Sequence, residues 1–260
     1  MEQQNTATPA LALRGLVKQF GDTTAVAGID LDVTTGSFHG LVGPNGAGKT
    51  TALSMAVGLL RPTAGTATVA GVDVWRDPVA AKRRIGMLPE ASHLFDRLTG
   101  PELLDYHGLL RGMAQDTVRA RVAQLIEVLG LGEAGRKLVV DYSTGMKKKI
   151  GLACALLHSP TLLVLDEPFE AVDPVSAGTI RDLLRRYLDG GGTVIFSTHV
   201  MEVAEQLCDH LTVIGAGRVL ASGTLEEVRG GRRLHEVFVD LVGGPRRGTE
   251  ELSWLGDSSR

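Results

Sequence analysis

Hydrophobic residues along this chain fall into two kinds of pattern. The first is the short continuous apolar run. "SFHGLVG" (Ser37–Gly43), "TLLVLDEP" (Thr161–Pro168) and "GTVIFSTH" (Gly192–His199) have strand length, and runs of this kind predict parallel strands buried on both faces. The second kind recurs at helical spacing. Leu53, Ala56, Val57 and Leu60 mark one face of a helix expected to stop before Pro62. Ile180, Leu183, Leu184 and Tyr187 stripe another helix, opened by Asp173 as N-cap and Pro174 in its first turn. Val200, Val203, Ala204 and Leu207 stripe a third. Strands that each lead into a helix predict an α/β fold around a parallel sheet.

The middle of the chain departs from that alternation. From about Ala91 to Pro160 the pattern is nearly all helical. Thr99 and Glu102 have the spacing of a capping box, with Pro101 inside the first turn. Val118, Val122, Leu125, Ile126 and Leu129 stripe the next helix. A helical insertion within an α/β core is therefore expected. "LTVIGAGRVLASG" (Leu211–Gly223) predicts a hairpin around Gly215–Gly217. Leu234, Val237, Phe238 and Leu241 form a last amphipathic stretch that covers the core, followed by a polar tail.

Composition narrows the class. The 260 residues are 43% hydrophobic and 22% charged, an ordinary globular balance. A net charge of −3 gives no electrostatic reason to bind nucleic acid or an anionic membrane, so no nucleic-acid partner is expected. Cys154 and Cys208 sit in apolar helical patterns without CxxC spacing and read as inert core thiols. His39, His93, His107, His158, His210 and His235 show no ligand spacing, so no structural metal is assigned. Lys147, Lys148 and Lys149 read as a solvated helix face. The opening "MEQQNTATPA" lacks the basic and apolar regions of a secretion signal and reads as a frayed tail. No apolar run approaches the roughly 18 residues needed to cross a bilayer.

One stretch does not fit a purely structural reading. "GPNGAGKT" (Gly43–Thr50) places glycines, a lysine and a threonine between a strand and a helix, and matches G-x-x-x-x-G-K-[ST]. Glycines let successive N–H groups turn inward around an anion, and the following helix adds the positive end of its dipole. Gly43, Pro44, Asn45, Gly46, Ala47, Gly48, Lys49, Thr50 and Thr51 are thus assigned to the phosphates of a nucleotide, with Lys49 neutralising the β- and γ-phosphates and the Thr50 hydroxyl on Mg²⁺. A flexible loop would explain the glycines but not a lysine at the opening of an apolar helix. "LLVLDE" (Leu162–Glu167) adds two carboxylates at the C-terminal end of a buried strand, where α/β sheets bind ligands. Asp166 suits the metal, and Glu167 suits a water polarised for attack on the γ-phosphate.

These residues resemble the ATP-binding subunit of an ABC transporter, and further landmarks follow in that family's order over about residues 10 to 230. "YSTGMKKK" (Tyr142–Lys149) stands at the signature, with Ser143 and Gly145 matching and Thr144 and Met146 departing. "EAVD" (Glu170–Asp173) resembles the D-loop, ending on Asp173, and His199 in "STH" the switch histidine. Phe20 stands where the family stacks an aromatic on adenine, and Glu90 in "MLPE" where it has the Q-loop glutamine. The resemblance implies a P-loop NTPase core with a helical insertion at about 91–160, an antiparallel β subdomain, and a C-terminal extension over 231–260. It implies that Glu90 joins Thr50 and Asp166 at Mg²⁺, that His199 contacts the γ-phosphate, and that Lys49 and Glu167 complete the catalytic set. Ser143 and Gly145 then meet the nucleotide of a second ATPase copy, in a homodimer or a heterodimer.

An ATPase subunit energising a separate integral membrane permease from the cytoplasmic face follows. The resemblance supports export over uptake through the short chain, Glu90 and the terminal stripe. A soluble ATP-driven switch acting on ribosomes or DNA is the alternative, and a single cassette with an acidic total argues against it.

Overall fold

The three apolar runs lie side by side in one sheet. A computed structural model of the chain describes residues 8–90 and 94–243. His93, most of both tails and the first residues of the expected insertion fall outside that range. The chain opens with β1 (Leu11–Phe20) and β2 (Thr23–Val33), passes into β3 (Phe38–Val42) and α1 (Lys49–Ala56), then returns through β4 (Ala64–Val69) and the short β5 (Val72–Asp73). Helix α2 (Pro78–Arg84) and β6 (Ile85–Leu88) precede a wholly helical stretch, α3 (Gly100–Leu110), α4 (Gln115–Val128) and α5 (Thr144–Leu156), with two 3₁₀ turns before α5. The chain re-enters the sheet as β7 (Leu162–Asp166), followed by α6 (Pro174–Asp189), β8 (Thr193–Thr198) and α7 (Met201–Leu207). Strands β9 (His210–Gly215) and β10 (Arg218–Thr224) and helices α8 (Leu225–Arg229) and α9 (Leu234–Val242) close the described chain.

Two sheets result. The larger runs β10-β9-β3-β8-β7-β6, parallel throughout except for the antiparallel edge strand β10. Every residue of β3, β7 and β8 is buried, which explains their unbroken apolar character. The smaller sheet, β2-β1-β4-β5, is antiparallel. Its inward residues pack with α1 and one face of the large sheet into a common core that includes Leu11, Leu16, Ile29, Leu53, Met55 and Val164. A second core on the opposite face joins β3, β7 and β8 to α6, α7 and α9. Leu234, Phe238 and Val242 of α9 cover it, whereas Leu241 turns outward at 37% exposure. A third cluster holds α3, α4 and α5 together around Leu103, Leu104, Val118 and Ile150. Cys154 and Cys208 are buried and unpaired; burial pushes the Cys154 thiol up to about 12, out of the reactive range.

The local signals act as the sequence suggests at most ends. Thr99 and Glu102 close the capping box of α3, and Asp173 caps α6 by accepting a hydrogen bond from the Ser176 N–H at 2.9 Å. One end differs. Helix α1 does stop before Pro62, but already at Ala56, leaving Val57 and Leu60 beyond it, because Gly58 at φ +74° breaks the helical path; Leu59 is 62% exposed. Val200 likewise stands outside its expected stripe, as the partly exposed N-cap of α7.

Parallel register aligns the C-terminal ends of three strands. Val42 pairs with Thr198, and Asp166 with Ser197, so the loop after β3 and the acids after β7 meet at one edge of the sheet. The hairpin turn between β9 and β10 braces that loop: the Gly217 N–H donates to Ala47 O at 3.0 Å, while Gly217 O accepts from Ala27 N of β2 at 2.8 Å.

Candidate active site

The loop after β3 is shaped by close backbone approach. Gly48, at φ +100°, is the N-cap of α1, and a Cβ there would lie 2.5 Å from Ala25 O. Only glycine fits. No side chain caps α1, and its first turn carries no acid, so the N-terminal N–H groups and the helix dipole are directed at the loop's own concavity. That concavity is a cavity of about 510 Å³ lined by Ala25, residues 45–51, Glu90 and Glu167. Lys49 is buried; its Nζ donates to Gly43 O at 2.8 Å and Pro44 O at 3.3 Å, and lies 3.6 Å from Glu167 Oε1. An anion nest with a lysine beside it is suited to a polyphosphate.

The acids differ in setting. Asp166 is buried, with Oδ1 accepting from Ser197 Oγ and Oδ2 without a hydrogen-bond partner. Burial raises its carboxyl above the usual range, the hydroxyls of Ser197 and nearby Thr50 oppose that rise, and the charges of Glu90 and Glu167 add to it. A cation would relieve both the orphaned oxygen and the repulsion. Glu90 is exposed and accepts from Thr50 Oγ1 at 3.3 Å. Among the described residues no three His, Cys, Asp or Glu side chains converge as an all-protein metal cage. Two carboxylates and a hydroxyl are hard oxygen donors that leave positions for phosphate and water, and so fit Mg²⁺.

Glu167 takes the left-handed region at φ +47°, unusual for a residue with a Cβ. Its N–H donates to Ser197 Oγ at 2.9 Å and its Oε1 accepts from His199 Nδ1 at 3.1 Å. Ser197 thus joins the two acids, accepting from one backbone and donating to the other side chain.

The predicted site residues do not all gather here. Asn45 to Thr51, Glu90 and Glu167 line the cavity, His199 bonds to Glu167, and Asp166 is joined to Glu167 through Ser197, whereas Gly43 and Pro44 are not among the lining residues. Phe20 stands apart at the end of β1, half-exposed, with Lys18 Nζ 5.0 Å over its ring. Ser143 is the exposed N-cap of α5, its Oγ accepting from Met146 N at 3.2 Å, and is not among the cavity-lining residues. Gly145 is buried beside Asp173.

Lys148 corrects the reading of its lysine triplet as solvated. Its side chain is buried, donating to Glu167 O at 2.9 Å and Glu90 O at 3.4 Å. Burial lowers its pKa, while Glu170, Asp166, Glu90 and Glu167 hold it up. A signal was present: Gly145, Lys148, Leu152 and Ala155 recur at helical spacing and are all buried, a second stripe beside Ile150, Cys154 and Leu157. Ala25 and Ser197 were also missed; Ala25 stands in no motif, and Ser197 entered only as the first residue of "STH".

Comparison with known proteins decides the family. The family model described as "ABC transporter" matches residues 26–170, and one described as "AAA domain, putative AbiEii toxin, Type IV TA system" matches 138–205. A daunorubicin resistance ATP-binding protein of Streptomyces coeruleorubidus is 41% identical over 235 residues, 89% of this chain and 74% of the relative. The chain belongs to the ABC transporter family. A linearmycin resistance ATP-binding protein of Bacillus subtilis (strain 168) is 36% identical over 82% of this chain and 69% of its own. A solved ATP-binding subunit of an ABC transporter superposes with a TM-score of 0.84 at 28% identity, covering 89% of this chain and 99% of that one. The protein is an ABC ATPase subunit: it binds ATP and hydrolyses it.

Proposed function

We propose that this ABC ATPase powers export through a separate membrane-embedded permease, two ATPase copies closing on ATP and reopening after hydrolysis. The single observation that carries the chemistry is the convergence on Glu167: His199 Nδ1 at 3.1 Å and Lys49 Nζ at 3.6 Å fix its carboxylate at the wall of the phosphate cavity. The relatives named for daunorubicin and linearmycin resistance favour export of a drug-like substrate over the ribosome- or DNA-associated switch. Among the described residues no helix is long and apolar enough to cross a membrane, so a membrane role would run through the permease, with this subunit on the cytoplasmic face. In this reading residues 10–230 are the ATPase domain, 91–160 the insertion that meets the permease, and 231–260 an extension.

The residues divide the work. Loop N–H groups of 45–51 and the α1 dipole hold the phosphates, Lys49 swings from its carbonyl partners to the β- and γ-oxygens, and Phe20 stacks on adenine. Thr50, Asp166 and Glu90 hold Mg²⁺, which when bound neutralises charge developing on the phosphates. Glu167 accepts the proton of the attacking water as its oxygen bonds to the γ-phosphorus and the bond to the bridging oxygen of the leaving ADP breaks. His199 orients Glu167 and donates toward the γ-phosphate. Ser143 and Gly145 present the N-terminus of α5 to the γ-phosphate held by the second copy, with Asp173 lining the seam. Glu167→Gln is expected to keep ATP binding and lower kcat roughly 10²-fold or more. Steady-state ATPase assays with parallel nucleotide-binding measurements check it; full activity in the variant removes Glu167 as the base.

A further inference from the structure

Lys148 is the buried charge that this site does not use. It lies on α5, one turn beyond the Ser143 cap, and its ammonium reaches two backbone carbonyls that belong to different segments: Glu167 O after β7 at 2.9 Å and Glu90 O after β6 at 3.4 Å. Glu167 O also accepts from the Glu170 N–H at 3.3 Å, so the lysine seals a turn already closed on itself. That turn holds Glu167 at φ +47°, a conformation that persists only where its surroundings over-determine it. A lysine costs free energy to bury, and a surface position one residue away was available on either side, since Lys147 and Lys149 are only half-buried.

We infer that Lys148 is a positioning residue: it clamps the backbone of Glu167 in its left-handed turn and ties Glu90 to it, so that the general base and the Thr50-bonded acid move as one unit with the Ser143 helix. The inference rests on the role assigned to Glu167. Because Ser143 caps the same end of α5, one turn away, engagement of that cap by a second copy's nucleotide would pull on the same helical turn that steadies the base.

The test uses the full chain with Lys148→Met, which keeps the stem and removes charge and donors, and Lys148→Arg, which keeps both. Lys148→Met is expected to lower kcat about tenfold or more with KM for Mg-ATP within about threefold, as misplacement of a catalytic group does. Without nucleotide, amide hydrogen exchange across residues 167–170 is expected to quicken in Lys148→Met and return toward wild type in Lys148→Arg, together with kcat. Wild-type kcat in Lys148→Met overturns the inference. So does a loss of kcat with unchanged exchange at 167–170, or one that Lys148→Arg does not lessen. Glu167→Gln, run alongside, separates the two readings: if it stays fully active the base assignment fails, and the exchange measurement still decides whether Lys148 clamps the turn.

Discussion

Glu90 sets a carboxylate where a neutral amide would serve the same hydrogen bond from Thr50. Three acids, Asp166, Glu167 and Glu90, then crowd one end of the sheet, faced by two ammonium groups, Lys49 and Lys148. Burial first, then repulsion from Glu90 and Glu167, raises Asp166; in the proposed site a divalent cation would relieve that repulsion, so the extra charge on Glu90 would act chiefly on metal affinity. Glu90→Gln is expected to raise the Mg²⁺ concentration for half-maximal ATPase by about 3- to 10-fold, the scale of one partly exposed charge. A magnesium titration at saturating ATP measures it, and unchanged Mg²⁺ dependence with unchanged KM removes Glu90 from the metal. At this scale spacing made Lys49, Thr50, Asp166 and Glu167 legible, because each stands in a motif whose chemistry demands its type. Lys148 was less legible: it shares a buried stripe with Gly145, Leu152 and Ala155, but its own charge hides that signal. A run of three lysines reads as solvent-facing, and only the arrival of the Glu167 carbonyl over that helical turn supplies the acceptor that makes burial tolerable.

Among the elements, β3 shows how far an apolar run carries. Its neighbours β8 and β9 cover both edges and helices or sheet cover both faces, so every side chain is buried, His39 included. Its Nε2 pairs with Thr212 Oγ1 at 2.9 Å and its Nδ1 has no partner; the ring stacks on His210 at 6.2 Å. Burial, then the charge of His210, pull the His39 pKa down to about 4, against a smaller opposing pull from Asp209. The unfolded chain protonates this ring near its ordinary value of 6.5, while the folded one keeps it neutral. Its contribution is therefore complete above pH 6.5 and lost as pH falls toward 4, up to about 3 kcal/mol. Thermal melts from pH 7 to 4.5 are expected to show Tm falling, with a shallower fall in His39→Gln; identical slopes would mean the ring is protonated in the fold. Strands β3, β7 and β8 were readable because burial on both sides leaves no polar alternation to confuse, whereas β1, β2 and β4, with mixed burial, entered only through the resemblance. Helix ends were less so: Gly58 ends α1 earlier than Pro62 would, since apolar spacing beyond it continues without a helix beneath.

At the scale of the molecule, the phosphate cavity and the Ser143 cap belong to different parts of the chain, and one copy does not bring them together. The cap is exposed, its helix runs 13 residues, and its first turn has no acid, so an anion approaching from outside meets free N–H groups and an aligned dipole. In the proposed scheme a second copy bearing ATP would supply such an anion, and the nucleotide would stabilise the closed pair by binding it better than the open one. Glu167→Gln, which holds ATP uncleaved in this scheme, is expected to form a dimer with Mg-ATP that light scattering detects. Adding Ser143→Asp tests the contact itself. Aspartate caps a helix as well as serine does, so the fold and single-copy ATP binding are expected to persist. Its negative charge meets the γ-phosphate at the very N–H groups that would hold it, and repulsion is expected to leave the double variant monomeric, with an unchanged Tm. A dimer as stable as that of Glu167→Gln alone would place the second copy's phosphate elsewhere.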